Sequence, residues 1–215
     1  MTSLETVKEK AKKLGKEKPE PQKVLWIFRH SFPDWYVKPP LDVETNPEAK
    51  RDWKERRKAA AGRPGNPGLG DDGVAIAEHL ADTLELSGIK VIYQQGPLRH
   101  KQTADSVAKR LGVPVKEVAD LERLFCIEEQ NGDPPPPYKS TERLIEQLAA
   151  EKENCIGVCI SRPTISDLIM RLTGENIDTG DITCGSVYKI ERGRLTRIRH
   201  KFDRIPFLKA RDREY

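Results

Sequence analysis

No stretch of this chain holds the roughly eighteen uninterrupted apolar residues that a membrane-spanning helix requires, and residues 1–20 lack the greasy centre of a secretory signal. Those twenty residues also contain no Arg, unlike the Arg-rich, acid-poor leaders of mitochondrial import. Cysteine is scarce. Cys126, Cys155, Cys159 and Cys184 form neither a dense framework nor the C-x-x-C pairs of a zinc site, so reduced thiols and no metal centre are expected. Cys155 and Cys159 stand four apart in the apolar run CIGVCI, which puts both on one face of a strand and favours packing over ligation. With membrane and secreted classes set aside, a cytoplasmic protein is expected.

What is present suits one domain: 215 residues, 36% of them hydrophobic, are enough to fill a single core. The net charge of +4 is small but unevenly spread. From Arg192 to Tyr215 nine basic residues face only Asp203, Asp212 and Glu214. That surplus offers docking for an acidic partner, yet it lacks aromatic interleaving and any nucleic-acid-binding motif. A solvated basic segment is therefore the preferred reading, with nucleic acid not expected.

Residues 1–20 read as a charged, thinly amphipathic extension. Next comes VLWIF, residues 24–28, a short apolar run of the kind buried on both faces of a sheet, expected to be the central strand. Residues 31–71 form a long excursion rich in Pro, Trp and charge, with one short helix expected within RDWKERRKAAAG. Ala77, Leu80, Ala81 and Leu84 mark an amphipathic helix, IKVIYQQ a strand, and residues 102–111 a helix closed by Gly112. VPVKEV is a further candidate strand. A helix from about Ser140, a buried strand over 156–160, a helix opened by Pro163 and stopped at Gly174, and a hairpin turning at Arg192 and Gly193 complete the domain over 21–201. Residues 202–215 are left as a basic tail. Alternating strands and helices predict a three-layer α/β/α sandwich with a mostly parallel sheet, in which ligands bind beyond the carboxyl ends of the strands.

Those ends carry cations. Arg29 and His30 follow VLWIF, Arg99 follows IKVIYQQ and a Gly-Pro turn, and Ser161 and Arg162 follow the last buried strand. Guanidinium forks and helix N-termini together suit a tetrahedral oxyanion. An imidazole beside such an anion can take a phosphoryl group covalently, which makes His30 the candidate nucleophile. His79 and His200 read as surface or helix residues, and only His100, next to Arg99, is near enough in sequence to hold in reserve. The literal G-x-G-x-x-G of residues 68–73 is set aside, because RPGNP rather than a strand precedes it and Asp71 and Asp72 would repel a pyrophosphate.

At this point the chain resembles the histidine phosphatase superfamily, the phosphoglycerate mutase-like proteins, over roughly residues 23–200. FRH at 28–30 is similar to its strand-end R-H-G signature, NPGLGDDGVAIAEHLADTL to its L-T-x-x-G segment and helix, and GPLRHKQTADSVAKRLG to S-P-x-x-R-x-x-Q-T-A. CISRPTISDLIMRLTG is similar to the strand, turn and helix that carry the family's second histidine. The insertion around Asp34 and Trp35 resembles the eukaryotic branch of ecdysteroid-phosphate and Sts-type phosphatases. The resemblance implies a phosphohistidine at His30, a phosphate gripped by Arg29 and Arg99 with Ser161 and Arg162 beside it, and chemistry without metal or organic cofactor.

It also exposes two departures, Ser31 for the glycine after the first histidine and Ser161 for the second histidine. A serine hydroxyl is a weaker, neutral donor, and losing a transition-state contact of that kind costs about 100- to 1,000-fold in rate. The leaving-group acid falls among Glu122, Glu128 and Glu129, with Glu128 chosen. The preferred expectation is a catalytically impaired member that binds a phosphorylated small molecule or phosphoprotein. An active phosphomonoesterase working through His30 is the alternative.

Overall fold

The computed structural model describes residues 23–32, 42, 45–61, 68–118 and 139–198. The N-terminal extension, Asp34 and Trp35, the acidic stretch with Glu122, Glu128 and Glu129, and the basic tail with His200 lie outside the described residues. Six strands form one sheet: β1 (Val24–Arg29), β2 (Val91–Gln94), β3 (Val115–Glu117), β4 (Cys155–Ile160), β5 (Val187–Glu191) and β6 (Arg194–Ile198), in the order β3-β2-β4-β1-β5-β6. β3, β2, β4 and β1 run parallel, while β5 pairs antiparallel with β1 and β6 antiparallel with β5. The sheet is thus mixed, with a parallel centre and an antiparallel hairpin added on one side.

The helices are α1 (Pro47–Ala61), α2 (Asp71–Leu84), α3 (Leu98–Leu111), α4 (Lys139–Ala150) and α5 (Arg162–Thr173). They cover the sheet on both faces, and the period-2 alternation of the strands shows why. Leu25 and Ile27 of β1, Val91 and Tyr93 of β2, and Ile156, Val158 and Ile160 of β4 pack with Leu144 and Leu148 of α4 and Ile165, Leu168 and Ile169 of α5. The alternate residues Phe28, Ile92 and Cys159 pack with Ile76, Leu80 and Leu84 of α2 and Ala104 and Val107 of α3. Cys155 lies against the same side as Cys159, as their four-residue spacing requires. Each fully buried Leu, Ile or Phe contributes about 1.5–3 kcal/mol, so a one-residue slip that swapped the two faces would misplace a whole row.

Helix ends follow local chemistry. Gly112 and Gly174 close α3 and α5 in the left-handed region, with φ of 66° and 80°. Arg192 and Gly193 both take positive φ in the two-residue turn of the β5–β6 hairpin, as its right-handed twist demands. One boundary differs from the sequence expectation. α3 begins at Leu98 rather than near residue 102, because Pro97 takes the N-cap and the carbonyl of Pro97 accepts from the His100 and Lys101 N–H groups. Arg99 and His100 consequently belong to a helical first turn, which fixes their directions.

The backbone of α2 approaches the turn after β1 closely. A Cβ added at Gly73 would stand 2.1 Å from the Phe32 carbonyl oxygen, a backbone atom with no freedom to yield. Two effects therefore oppose each other in Gly73→Ala: Ala gains about 1 kcal/mol of helix propensity, while overpacking costs about 1–3 kcal/mol or more. The steric cost is the larger, and the variant should denature at lower urea concentration than the parent. An unchanged or raised midpoint would show that α2 is free to back away from the turn.

Candidate active site

Three parallel neighbours, β2, β4 and β1, bring their carboxyl ends to one edge of the sheet. Strand parity then sorts the residues there. Arg29 continues the row of Leu25 and Ile27 on the α4–α5 side, where its Nη1 donates to the Ile182 carbonyl at 2.7 Å. His30 continues the row of Phe28 on the α2–α3 side. It is 7% exposed, and its ring meets that of His100 edge to face, with centroids 4.3 Å apart and planes at 63°.

The turn that carries His30 is pinned from two helices. The Ser31 N–H donates to Thr103 Oγ1 at 3.0 Å, and Thr103 Oγ1 donates to the Arg99 carbonyl at 2.7 Å, so α3 holds the turn through one hydroxyl. Ser31 Oγ donates to the Gly73 carbonyl of α2 at 2.6 Å. The departure from glycine at position 31 is thereby accommodated: the hydroxyl is fully buried and satisfied away from the imidazole. Gln102, also on α3, accepts from the Leu69 N–H at 2.7 Å and ties down the glycine-rich segment that leads into α2.

His30 Nδ1 lies 2.7 Å from the Ser31 carbonyl oxygen. A carbonyl only accepts, so the proton sits on Nδ1 and the lone pair on Nε2. Burial, then the positive charges of Arg29 and Arg99, hold the imidazolium form of His30 well below the ordinary histidine range, against a smaller upward pull from the Ser31 carbonyl. The ring is a neutral base of fixed tautomer under the positive charge of two arginines. The imidazolium form of His100 is likewise disfavoured, first by burial, then by the charge that a protonated His30 would carry, and by the charges of Arg99 and Arg29. At 0% exposure it has no hydrogen-bond partner on either ring nitrogen, and Arg29 Nε is a third buried nitrogen without one.

Position 161 is built differently. The Ser161 N–H donates to Gln95 Oε1 at 2.7 Å, which stitches the end of β4 to the end of β2. Its hydroxyl shares a 3.0 Å hydrogen bond with Thr164 Oγ1 inside the first turn of α5. Arg162 opens α5 at the same sheet edge. Of the residues singled out from sequence, Arg29 and Arg99 lie near enough for their charges to act on His30, Ser161 and Arg162 stand at the next strand end, and Glu128 lies outside the described residues. Buried Gln95 and Thr103 were missed, and His100 was held only in reserve. Among the described residues no group of three or more His, Cys, Asp or Glu is placed to hold a metal, and no helix is long and apolar enough to cross a membrane.

Such a sandwich, with a strand-end histidine under the positive charge of two arginines, is similar to the phosphoglycerate mutase-like class. Residues 25–126 match the family model described as the Histidine phosphatase superfamily (branch 1). An α-ribazole phosphatase from Shigella flexneri superposes with a TM-score of 0.52 at 16% identity, over 81% of this chain and 94% of that one. A candidate α-ribazole-5'-phosphate phosphatase from Escherichia coli gives 0.53 at 15%, over 82% and 95%. A candidate phosphohistidine phosphatase SixA from Agrobacterium tumefaciens gives 0.52 at 14%, over 84% and 97%. At these identities the structural likeness is one of fold. No functionally curated protein matches the sequence. The chain is thus similar to the histidine phosphatase superfamily over residues 25–126 and shares the fold of its solved phosphatase neighbours.

The neutral histidines carry a pH consequence. Below about pH 6.5 the unfolded chain binds protons that the folded rings refuse, so stability is full above that pH and falls as pH drops toward the lowered folded values. Each ring contributes up to about 1.4 kcal/mol per pH unit within that window. Urea denaturation should show a decline between pH 7 and 5, before ordinary carboxylates titrate. A flat profile over that interval would mean that the rings protonate in place.

Proposed function

We propose that this protein hydrolyses phosphate monoesters through a phosphohistidine at His30. The reading is carried by the hydrogen bond from His30 Nδ1 to the Ser31 carbonyl, which leaves Nε2 with its lone pair. In the first step that pair attacks phosphorus, an N–P bond forms, and the ester P–O bond breaks with its electrons passing to the leaving oxygen, which takes up a proton. In the second, water attacks phosphorus, the N–P pair returns to Nε2, and inorganic phosphate leaves. Arg29 and Arg99 supply positive charge for the phosphoryl oxygens, and the lowered proton affinity of His30 keeps the nucleophile unprotonated at neutral pH. The substrate class is a phosphorylated small molecule or a phosphoprotein, the leaving-group acid is assigned to Glu128, and no step draws on a metal or organic cofactor.

A second reading, binding of a phosphorylated ligand without turnover, is favoured by one observation. The Ser161 hydroxyl shares a hydrogen bond with Thr164 Oγ1, and position 161 has no imidazole to offer the phosphoryl group. The two readings part on turnover. The wild-type protein should hydrolyse p-nitrophenyl phosphate, should form an acid-labile, alkali-stable phosphoenzyme on rapid quench, and should lose both by more than about 1,000-fold in His30→Ala. Retained vanadate binding with no turnover and no phosphoenzyme would favour the binding protein instead. In that case Ser161→His tests whether a single missing contact is responsible, since gain of hydrolysis would identify it.

A further inference from the structure

A fully buried imidazole with both nitrogens unsatisfied is an expensive core residue. Leaving a buried polar atom unpaired is unfavourable, and native interiors rarely keep such atoms without a reason. His100 is such a case, at 0% exposure with no partner for Nδ1 or Nε2. A leucine or phenylalanine would fill the same space on α3 without that penalty. Two facts place the ring where its polarity has a use. It touches the ring of His30, and α3 is locked in register with the nucleophile's turn by Thr103, one helical turn further along the same buried face.

Its neighbours sharpen the point. Arg29 Nε, a donor by chemistry, is also buried and unpartnered, on the residue that precedes His30. Orphan nitrogens therefore occur on two different elements, on the residue before His30 and on the ring that touches it. A tetrahedral oxyanion is the ligand class that answers them, because its oxygens accept from several directions at once. Resting on the reading of His30 given above, we propose that His100 is a second imidazole of the site, which donates a ring N–H to an oxygen of the phosphoryl group held at His30. The contact forms no covalent bond and transfers no proton. Position 161 holds serine, yet the site has an imidazole from another element, the first turn of α3.

The role predicts a separation that packing alone does not. His100→Phe keeps a ring against His30 and removes the orphan nitrogens, whereas His100→Gln keeps an N–H donor. The Phe variant should fold at least as stably as the parent but lose roughly ten- to a hundredfold in vanadate affinity and in kcat for p-nitrophenyl phosphate, as fits a hydrogen bond to a charged group, and Gln should recover part of the vanadate affinity. In the unaltered protein with 15N-labelled histidine, vanadate should move a His100 ring N–H resonance into the hydrogen-bonded range. That measurement stands even if His100→Phe fails to fold. Wild-type vanadate affinity in the Phe variant, or a His100 resonance that ignores vanadate, overturns the proposal and leaves His100 a packing residue. If the parent binds vanadate without turnover, the hydrolytic reading fails while the vanadate comparison still decides His100; if it binds none, both fall.

Discussion

Everything at the site depends on the parallel hydrogen bonding of β2, β4 and β1. Parallel neighbours deliver their carboxyl ends to the same edge, and no antiparallel arrangement of these three strands would gather residues 29–31, 95–100 and 161–162 there. The pleat then does the sorting. Successive residues leave β1 toward opposite layers, so Arg29 is fastened among residues beside α5 and His30 is delivered to α3.

The second constraint is the close docking of α2 and α3 against the turn after β1. Ser31 is held by backbone and hydroxyl bonds from both helices, and Gly73 lets α2 come within backbone contact. The turn has little room to relax. A histidine whose tautomer is set by its own neighbour's carbonyl needs that rigidity, because a modest rotation of the peptide would release Nδ1 and with it the assignment of the lone pair. Stability and the state of the His30 imidazole thus draw on the same contacts.

Most of the sheet was legible because its signals are local. VLWIF and CIGVCI are too continuously apolar for a half-exposed strand, and glycines at 112, 174 and 193 mark places where the chain must take positive φ. The anion-seeking strand ends were legible for the same reason, since they follow the apolar runs directly. His100 was harder to read. Its sequence neighbours are polar, and its burial arises only when α3 starts at Leu98 and meets His30 in the turn after β1, seventy residues earlier in the chain. Ser31 and Ser161 were both visible as departures from a pattern, but only three-dimensional contacts show that one hydroxyl is absorbed by Gly73 and the other by Thr164. From residues alone the altered signature tilts toward an impaired protein; the setting of His30 tilts the reading toward catalysis.

The β5–β6 hairpin gives part of the basic surplus a different meaning. Among the described residues β6 is an outer strand, carrying Arg194 and Arg197 as well as Leu195 and Ile198, with an exposed arginine at the turn before it. An unpaired strand border invites another chain to add on, and repeated like charge makes that addition unfavourable. The opposite border is a strand of only three residues that includes Lys116 and Glu117. Both margins of the sheet are thus poorly suited to stacking with copies of themselves, a safeguard against fibre-like growth for a domain whose central strands would otherwise pair readily.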